Sequence, residues 1–307
     1  GRVDDLARVY SADRHGLKAQ LPPAAAYGEF VAREASRTED PEAREHEDYW
    51  ADLYSRSIPV LDLPLERPRP VSRTFRGARQ ELRIESSLYG ALKKLGAQNG
   101  CTLFVTLLAG FEALLSRLSG QDEFVIGIPM AGQALQENSH LVGHCVNLIP
   151  LRCRVDSSAS IVDHFKSVKR TFLDAQSHQR VTFGSLVRRL NVPRDPSRTP
   201  LVSVTFNIDK IGSPFDFGAL ALEGIATPKL FHNFEISINA VDSGHDLLIE
   251  CDYNSDLFDA DTIQRWLVYY KRLMEACGAR AVTGRVESYW HSVSARTINP
   301  RAFRGSG

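Results

Sequence analysis

A chain of 307 residues with 43% apolar and 24% charged side chains can bury a full hydrophobic core, as one large domain or as two lobes. Lys plus Arg and Asp plus Glu both number 37, so the formal charge is zero and no basic excess exists to neutralise phosphates, which argues against nucleic acid as the main partner. The most apolar run, Cys101 to Leu115, is broken by Glu112 and falls short of the roughly 20 residues a membrane span needs; no signal peptide opens the sequence, so no membrane partner is expected.

In chain order, Val3, Leu6 and Tyr10 have helical spacing in a segment that starts without a cap. A charged helix is expected from Pro41, with a thin apolar side of Tyr49, Trp50, Leu53 and Tyr54. The proline-rich stretch from Leu61 to Arg73 reads as an extended connector. "ARQELRI" alternates as a strand, and the following helix carries a serine cap and closes at Gly100. Leu103, Phe104, Leu107, Leu108, Phe111, Leu114, Leu115 and Leu118 mark a helix capped by Thr102 and ended by Gly120. Two short apolar strands, "EFVIGIPM" and "VNLIPLRC", precede another helix over residues 160–177. Three alternating strands follow, around Val204, Ile238 and Ile249, and then a helix striped by Ile263, Trp266, Leu267, Tyr270, Leu273, Met274 and Cys277. This order predicts an α/β fold, a mixed sheet with packed helices. The five cysteines are odd in number and mostly set in apolar patterns, which reads as buried free thiols in a reducing, cytoplasmic compartment.

Few residue groups invite chemistry. His140 and His144 lie four apart, but Gly143 stands between them and no third ligand has useful spacing, so no metal is expected. Ser243, His245 and Asp246 read as a polar hairpin turn, since no nucleophile elbow accompanies them. Arg188, Arg189, Arg194 and Arg198 read as solvated or salt-bridged. No glycine-rich phosphate loop occurs.

One stretch carries more lettering than a loop needs: Arg194-Asp195-Pro196-Ser197-Arg198-Thr199-Pro200-Leu201, just before a core strand. It is similar to an R-D-x-S-R-N-P-L motif. "LVGHCVNLIPLRC" matches G-x-x-V-N-x-x-x-x-R at Gly143, Val146, Asn147 and Arg152, and "SHQRVTF" keeps His178, Gln179 and Phe183 of [HN]-Q-D-x-P-F. "AYGEFVARE", "YWADLY" with "LDLPLERPRP", the helix-strand stretch from Gly100 and "YNSDLFDADTIQRW" fall in the same collinear order. Together they resemble the condensation domain of nonribosomal peptide synthetases, and specifically its C-terminal part.

That resemblance implies a fold like chloramphenicol acetyltransferase, two lobes with a channel between them. Residues 1–22 are expected to be the tail of the N-terminal lobe or a linker helix, 23–278 the C-terminal lobe, and 279–307 an irregular tail. The implied reaction joins aminoacyl or peptidyl thioesters held on the phosphopantetheine of peptidyl carrier domains, with an adenylation domain in the parent assembly line. No cofactor is expected on the chain itself. Asn147, His144, His178 and Gln179 are implied channel residues. Gly143, Arg152, Phe183, Arg194, Asp195, Ser197, Arg198 and Pro200 are implied structural residues; for the last group Asp195 can cap backbone amides and pair with Arg194 or Arg198. The family's catalytic HHxxxDG motif is absent, as no His-His pair occurs, so the chain is expected to begin after it and to be inactive alone. A non-catalytic scaffold or docking lobe, or a split acyltransferase complemented by a separate chain, are the alternatives. An apolar interface for the N-terminal lobe is expected at Val125–Met130 and Phe231–Ile238, with the charged helix on the outside.

Overall fold

A computed structural model describes residues 2–37, 41–131, 141–211, 217, 218, 220, 227, 229–279 and 285–287. The elements are α1 (Arg2–Arg14), α2 (Tyr27–Arg37), α3 (Pro41–Tyr54), β1 (Gly77–Ile84), α4 (Ser86–Gln98), α5 (Leu103–Ser119), β2 (Glu123–Ala131), β3 (Val146–Arg154), α6 (Ile161–Ser177), α7 (Phe183–Arg189), β4 (Val204–Lys210), β5 (Ile236–Asp242), β6 (Leu247–Asn254) and α8 (Ala260–Ala279). The strands form one mixed sheet in the order β1-β6-β5-β4-β2-β3. β2, β4 and β5 run parallel; the other pairings are antiparallel.

Alternation decides which face each strand buries. Phe206 pairs in register with Ile238, which pairs with Cys251; Phe206 also packs on Phe104 and Phe111 of α5. This row marks the face that carries the helix layer of α4, α5, α6 and α8. α5 starts where Thr102 accepts from the Val105 amide and stops at Gly120, whose φ of 70° suits a residue without Cβ. Gly110 lets α8 come close: a Cβ there would sit 2.0 Å from Met274 Cε. The α8 stripe is buried throughout, and all five cysteines are free and buried.

Four expectations change. Glu85, not a serine, occupies the α4 N-cap position, and it makes no side-chain cap bond. Val125, Ile126 and Ile128 are buried rather than exposed, because the helix layer covers Ile126 and Ile128 on one face and the segments around Ile58 and Leu201 cover Val125 on the other. Ile236 and Ile238 are buried under α5 and α8, whereas Leu230 and Phe231 project at 70% and 79% exposure. Of the tail expected to be irregular, residues 285–287 are docked: the Val286 amide donates to Ala159 O at 3.0 Å and its side chain is 2% exposed. The rest of 280–307 lies outside the described residues. Among its described side chains, α3 keeps its charges outside and buries Trp50, Tyr54 and the His46 ring.

Candidate functional site

The parallel strands β2, β4 and β5 end together at Ala131, Lys210 and Asp242. In open sheets with parallel strands, the crevice outside their carboxyl ends is where ligands bind. Here that end holds a cavity of about 700 Å³, lined by Leu103, Phe104, Ile128, Met130, Phe172 and Ile208, with Val146 at its side. Lys93, Asp209, Lys210 and Asp242 also reach it. α5 presents its first turn there, with Thr102 closing it.

Beside this cavity the start of β3 is pinned by Asn147, which pairs in register with Met130. The Asn147 amide nitrogen donates to Gln179 O at 3.0 Å and to Val181 O at 2.7 Å, and its oxygen accepts from the Phe183 amide at 3.2 Å. Every bonding position of a side-chain amide nitrogen is thereby used, and the link between α6 and α7 is fixed to the sheet. Gln179 joins this clamp through its backbone carbonyl. His178 lies on the outer side of the link. Its ring stacks on Tyr49 at 3.8 Å, its Nδ1 meets Asp174 O at 2.7 Å, and its carbonyl accepts from the Trp50 indole at 2.9 Å. Next to it, neither nitrogen of the buried His46 ring has a hydrogen-bond partner among the described residues. Burial, with the neighbouring His178 adding to it, holds His46 below its ordinary pKa.

His144 is exposed, and its carbonyl accepts from Tyr27 Oη at 2.9 Å. Gly143 meets the same tyrosine; a Cβ there would sit 2.2 Å from the ring. His140 lies outside the described residues. Arg152 holds the far end of α3, donating to Leu53 O at 2.5 Å, Ser57 O at 3.0 Å and Glu123 at 2.9 Å. Among the described residues no group of three His, Cys, Asp or Glu side chains is placed to hold a metal. Ser243 bonds Asp246 within the β5–β6 hairpin, as a polar turn does.

The loop at 194–201 works as a rivet on the face opposite the helices. Asp195 accepts from the Ser197 amide and hydroxyl at 2.8 and 2.6 Å, and it pairs with Arg198 at 3.8 Å. Arg198 reaches across to Leu61 O and Asp62, and Arg73 donates to Thr199 Oγ1 at 2.9 Å. After Pro200 the chain turns sharply: Leu201 has φ 65° and the Val202 amide donates to Pro200 O at 2.7 Å, a γ-turn in a strained backbone region. An apolar cavity of about 530 Å³ lies between this loop, the connector at Ile58–Leu61 and Val125.

The remainder of that face is polar. Thr205 and Ser237 share a 2.5 Å hydrogen bond, His232 meets Ser237 at 2.9 Å, and Asn207, Asn239 and Glu250 form a chain with 3.1 Å links. Arg79 bridges Glu250 and Asp252, and Lys229 adds to Asp252 at 3.0 Å. The groove-wall residues Phe104, Phe172 and Met130 were not singled out as site residues by sequence. The alternation of β4 stops at Asp209-Lys210, which signals a strand end, but strand direction had to be known before that end could be read as a site.

Residues 3–290 match the family described as Condensation domain. The chain belongs to the condensation-domain family. Surfactin synthase subunit 1 of Bacillus subtilis (strain 168) is 30% identical over 279 residues, 90% of this chain and 8% of that protein. Bacitracin synthase 1 of Bacillus licheniformis is 31% identical over 252 residues, 81% of this chain and 5% of its own length. The chain thus spans less than a tenth of these synthases. Among solved structures, the X-domain from teicoplanin biosynthesis superposes with a TM-score of 0.79 at 19% identity, over 92% of this chain and 66% of that one. The first condensation domain of the calcium-dependent antibiotic synthetase, solved with a substrate analogue, gives 0.76 at 19% identity, over 93% of this chain and 62% of that one. At these identities the structural likeness speaks to the fold: the condensation-domain α/β architecture, with a six-stranded mixed sheet and packed helices. No single described helix is long and apolar enough to cross a membrane.

Proposed function

We propose that these 307 residues act as the C-terminal lobe of a condensation domain in nonribosomal peptide synthesis. In this reading they form one wall of the channel in which carrier-tethered thioesters meet, and the HHxxxDG histidine comes from sequence outside them. The observation that carries the reading is coverage: nearly all of this chain aligns with only 62–66% of solved relatives of the same fold. The absence of any His-His pair supports it. So do the exposed Leu6 and Val9 on α1 and the projecting Leu230 and Phe231, which a second lobe is suited to cover. The cavity at the carboxyl ends of β2, β4 and β5 is the part of the channel that belongs to this lobe. Asn147 and Gln179 then serve as positioning groups, because their clamp fixes the strand end that borders the cavity. Peptidyl carrier domains bring both substrates on phosphopantetheine, and an adenylation domain loads them.

Alone, the chain should form no amide above background when mixed with a donor-loaded and an acceptor-loaded carrier protein. A positioned base or charge stabiliser is needed at the attacking amine, and the family's histidine is missing. Adding the complementary N-terminal lobe in trans should restore turnover. Turnover by the isolated chain that disappears on replacing His144 or His178 would overturn this proposal.

The clamp makes a separate expectation. Asn147→Ala leaves two carbonyls and one amide without partners and should lower stability by about 1–3 kcal/mol. Asn147→Asp should lose more, since it turns a carboxylate toward the Gln179 and Val181 carbonyls. Urea unfolding measures both. Parent-like stability of the alanine variant would show that the three backbone groups find other partners.

A further inference from the structure

We propose that the carboxyl-end cavity selects substrates with apolar aminoacyl side chains, branched aliphatic or aromatic, and rejects charged ones. This deepens the reading of that cavity as part of the substrate channel and rests on it. Most of its wall among the described residues is apolar, with Thr102 and Asn207 as the uncharged polar groups: Phe104 and Phe172, 4.7 Å apart between ring centroids, stand with Leu103, Ile128, Met130 and Ile208. Phe104, Phe172, Met130 and Ile208 are only partly buried, so apolar surface faces solvent here inside a concavity of about 700 Å³. Val146 at the side is 53% exposed. A volume of this size holds an aminoacyl group with room for the end of its tether.

The charged residues do not offset the wall. Lys93, Lys210, Asp209 and Asp242 supply two charges of each sign, so the cavity carries no net charge that would favour an ionised side chain of either sign. Lys93 already lies over the Tyr89 ring at 5.1 Å, and Asp209 accepts from Asn207 at 3.1 Å. The buried Asp242 carboxylate already accepts from the Gly244 amide at 2.8 Å, so a Lys or Asp side chain entering the apolar part of the wall must shed water with no free buried partner to receive it. A Leu or Phe side chain gains by covering the exposed rings.

The two methionines make the test direct. Met130 lines the cavity, and Met274 is fully buried between α5 and α8, away from it. The full 307-residue chain labelled with ¹³C-methyl methionine therefore gives one reporter and one silent reference. The probes are N-(2-acetamidoethyl) amides of L-phenylalanine, L-leucine, L-aspartate and L-lysine, in which an amide replaces the hydrolysable thioester and the arm copies the end of pantetheine. The phenylalanine and leucine probes should move the Met130 signal and saturate at concentrations roughly ten-fold or more below the charged probes. They should leave Met274 in place. Val146→Asp, at a position 53% exposed, should weaken the apolar probes by a similar factor. Equal saturation by charged and apolar probes overturns the selectivity and leaves the channel reading standing. No response of Met130 to any probe, or equal movement of Met274, overturns the channel reading and this inference with it.

Discussion

Replacing Glu112 with glutamine should abolish the loss of stability between about pH 6.5 and 8 and uncover an acid loss below pH 6.5. Glu112 sits in the middle of α5, 2% exposed, among Ala109, Cys153 and His164. Burial pushes its carboxyl from 4.5 up to about 8, and a hydrogen bond with Cys153 offsets this only in part. The folded chain therefore holds a proton at neutral pH that the unfolded chain releases. Stability from this group is fully present below pH 4.5 and is lost as pH rises to about 8. At about 1.36 kcal/mol per pH unit the whole loss is on the order of 4–5 kcal/mol, taken as an upper figure. His164 has the opposite slope. Burial lowers its pKa, against the pull of its hydrogen bond to Ala109 O, so it stays neutral in the fold and costs stability as pH falls below 6.5. The parent should be most stable in mildly acidic solution. Glu112→Gln keeps the volume, removes the alkaline loss and leaves the acid one. Urea unfolding at about pH 5, 6, 7 and 8 tests this, and equal alkaline slopes in parent and variant would exclude Glu112 as the source.

Sequence pattern revealed elements with long, regular stripes. α5 and α8 bury the residues their 3.6-residue period put on one side, and Thr102 and Gly120 stand where α5 starts and stops, since those signals are local. α2 was not foreseen: its buried contact is Phe30, held by Leu141 and Cys145 more than a hundred residues away. The buried state of Val125–Ile128 was missed because alternation cannot tell what covers each face of a strand; the helix layer and the segments around Ile58 and Leu201 settle it. The site divided the same way. The motifs around Asn147 and Arg198 were visible as letters, but their partners are backbone groups of distant segments, which carry no signature in sequence. The cavity wall was invisible because it needs the parallel direction of β2, β4 and β5, fixed only by long-range pairing.

The part of the connector around Arg69 should lift off the sheet when Arg69 is removed. Arg69 meets Glu235 with two parallel bonds, of 2.9 and 3.2 Å, and both side chains are nearly buried. Glu235 begins the segment that enters β5, and its amide donates to Ser203 O, so the pair ties the connector to two adjoining strands. Arg69→Ala strands the Glu235 carboxylate in a dry site, and breaking such a pair from one side costs about 3–5 kcal/mol. The Arg69→Met, Glu235→Leu double replacement removes both charges and should recover most of that loss, because the burial of ions is itself unfavourable. Contacts on either side explain why the effect stays local. Glu66 still bonds Leu257 O and the Asp259 amide, Arg67 still donates to Ser255 O at 3.1 Å, and the Arg73 amide still donates to Pro196 O at 2.8 Å, so the connector stays anchored on both sides of residue 69 while the stretch around it opens. Amide exchange should accelerate at residue 69, Val71 and Ser72 of Arg69→Ala and remain slow at 198–204. Equal acceleration across both segments would mean that loop and connector open as one unit, with Arg69 as the rivet and the 194–201 loop its passenger.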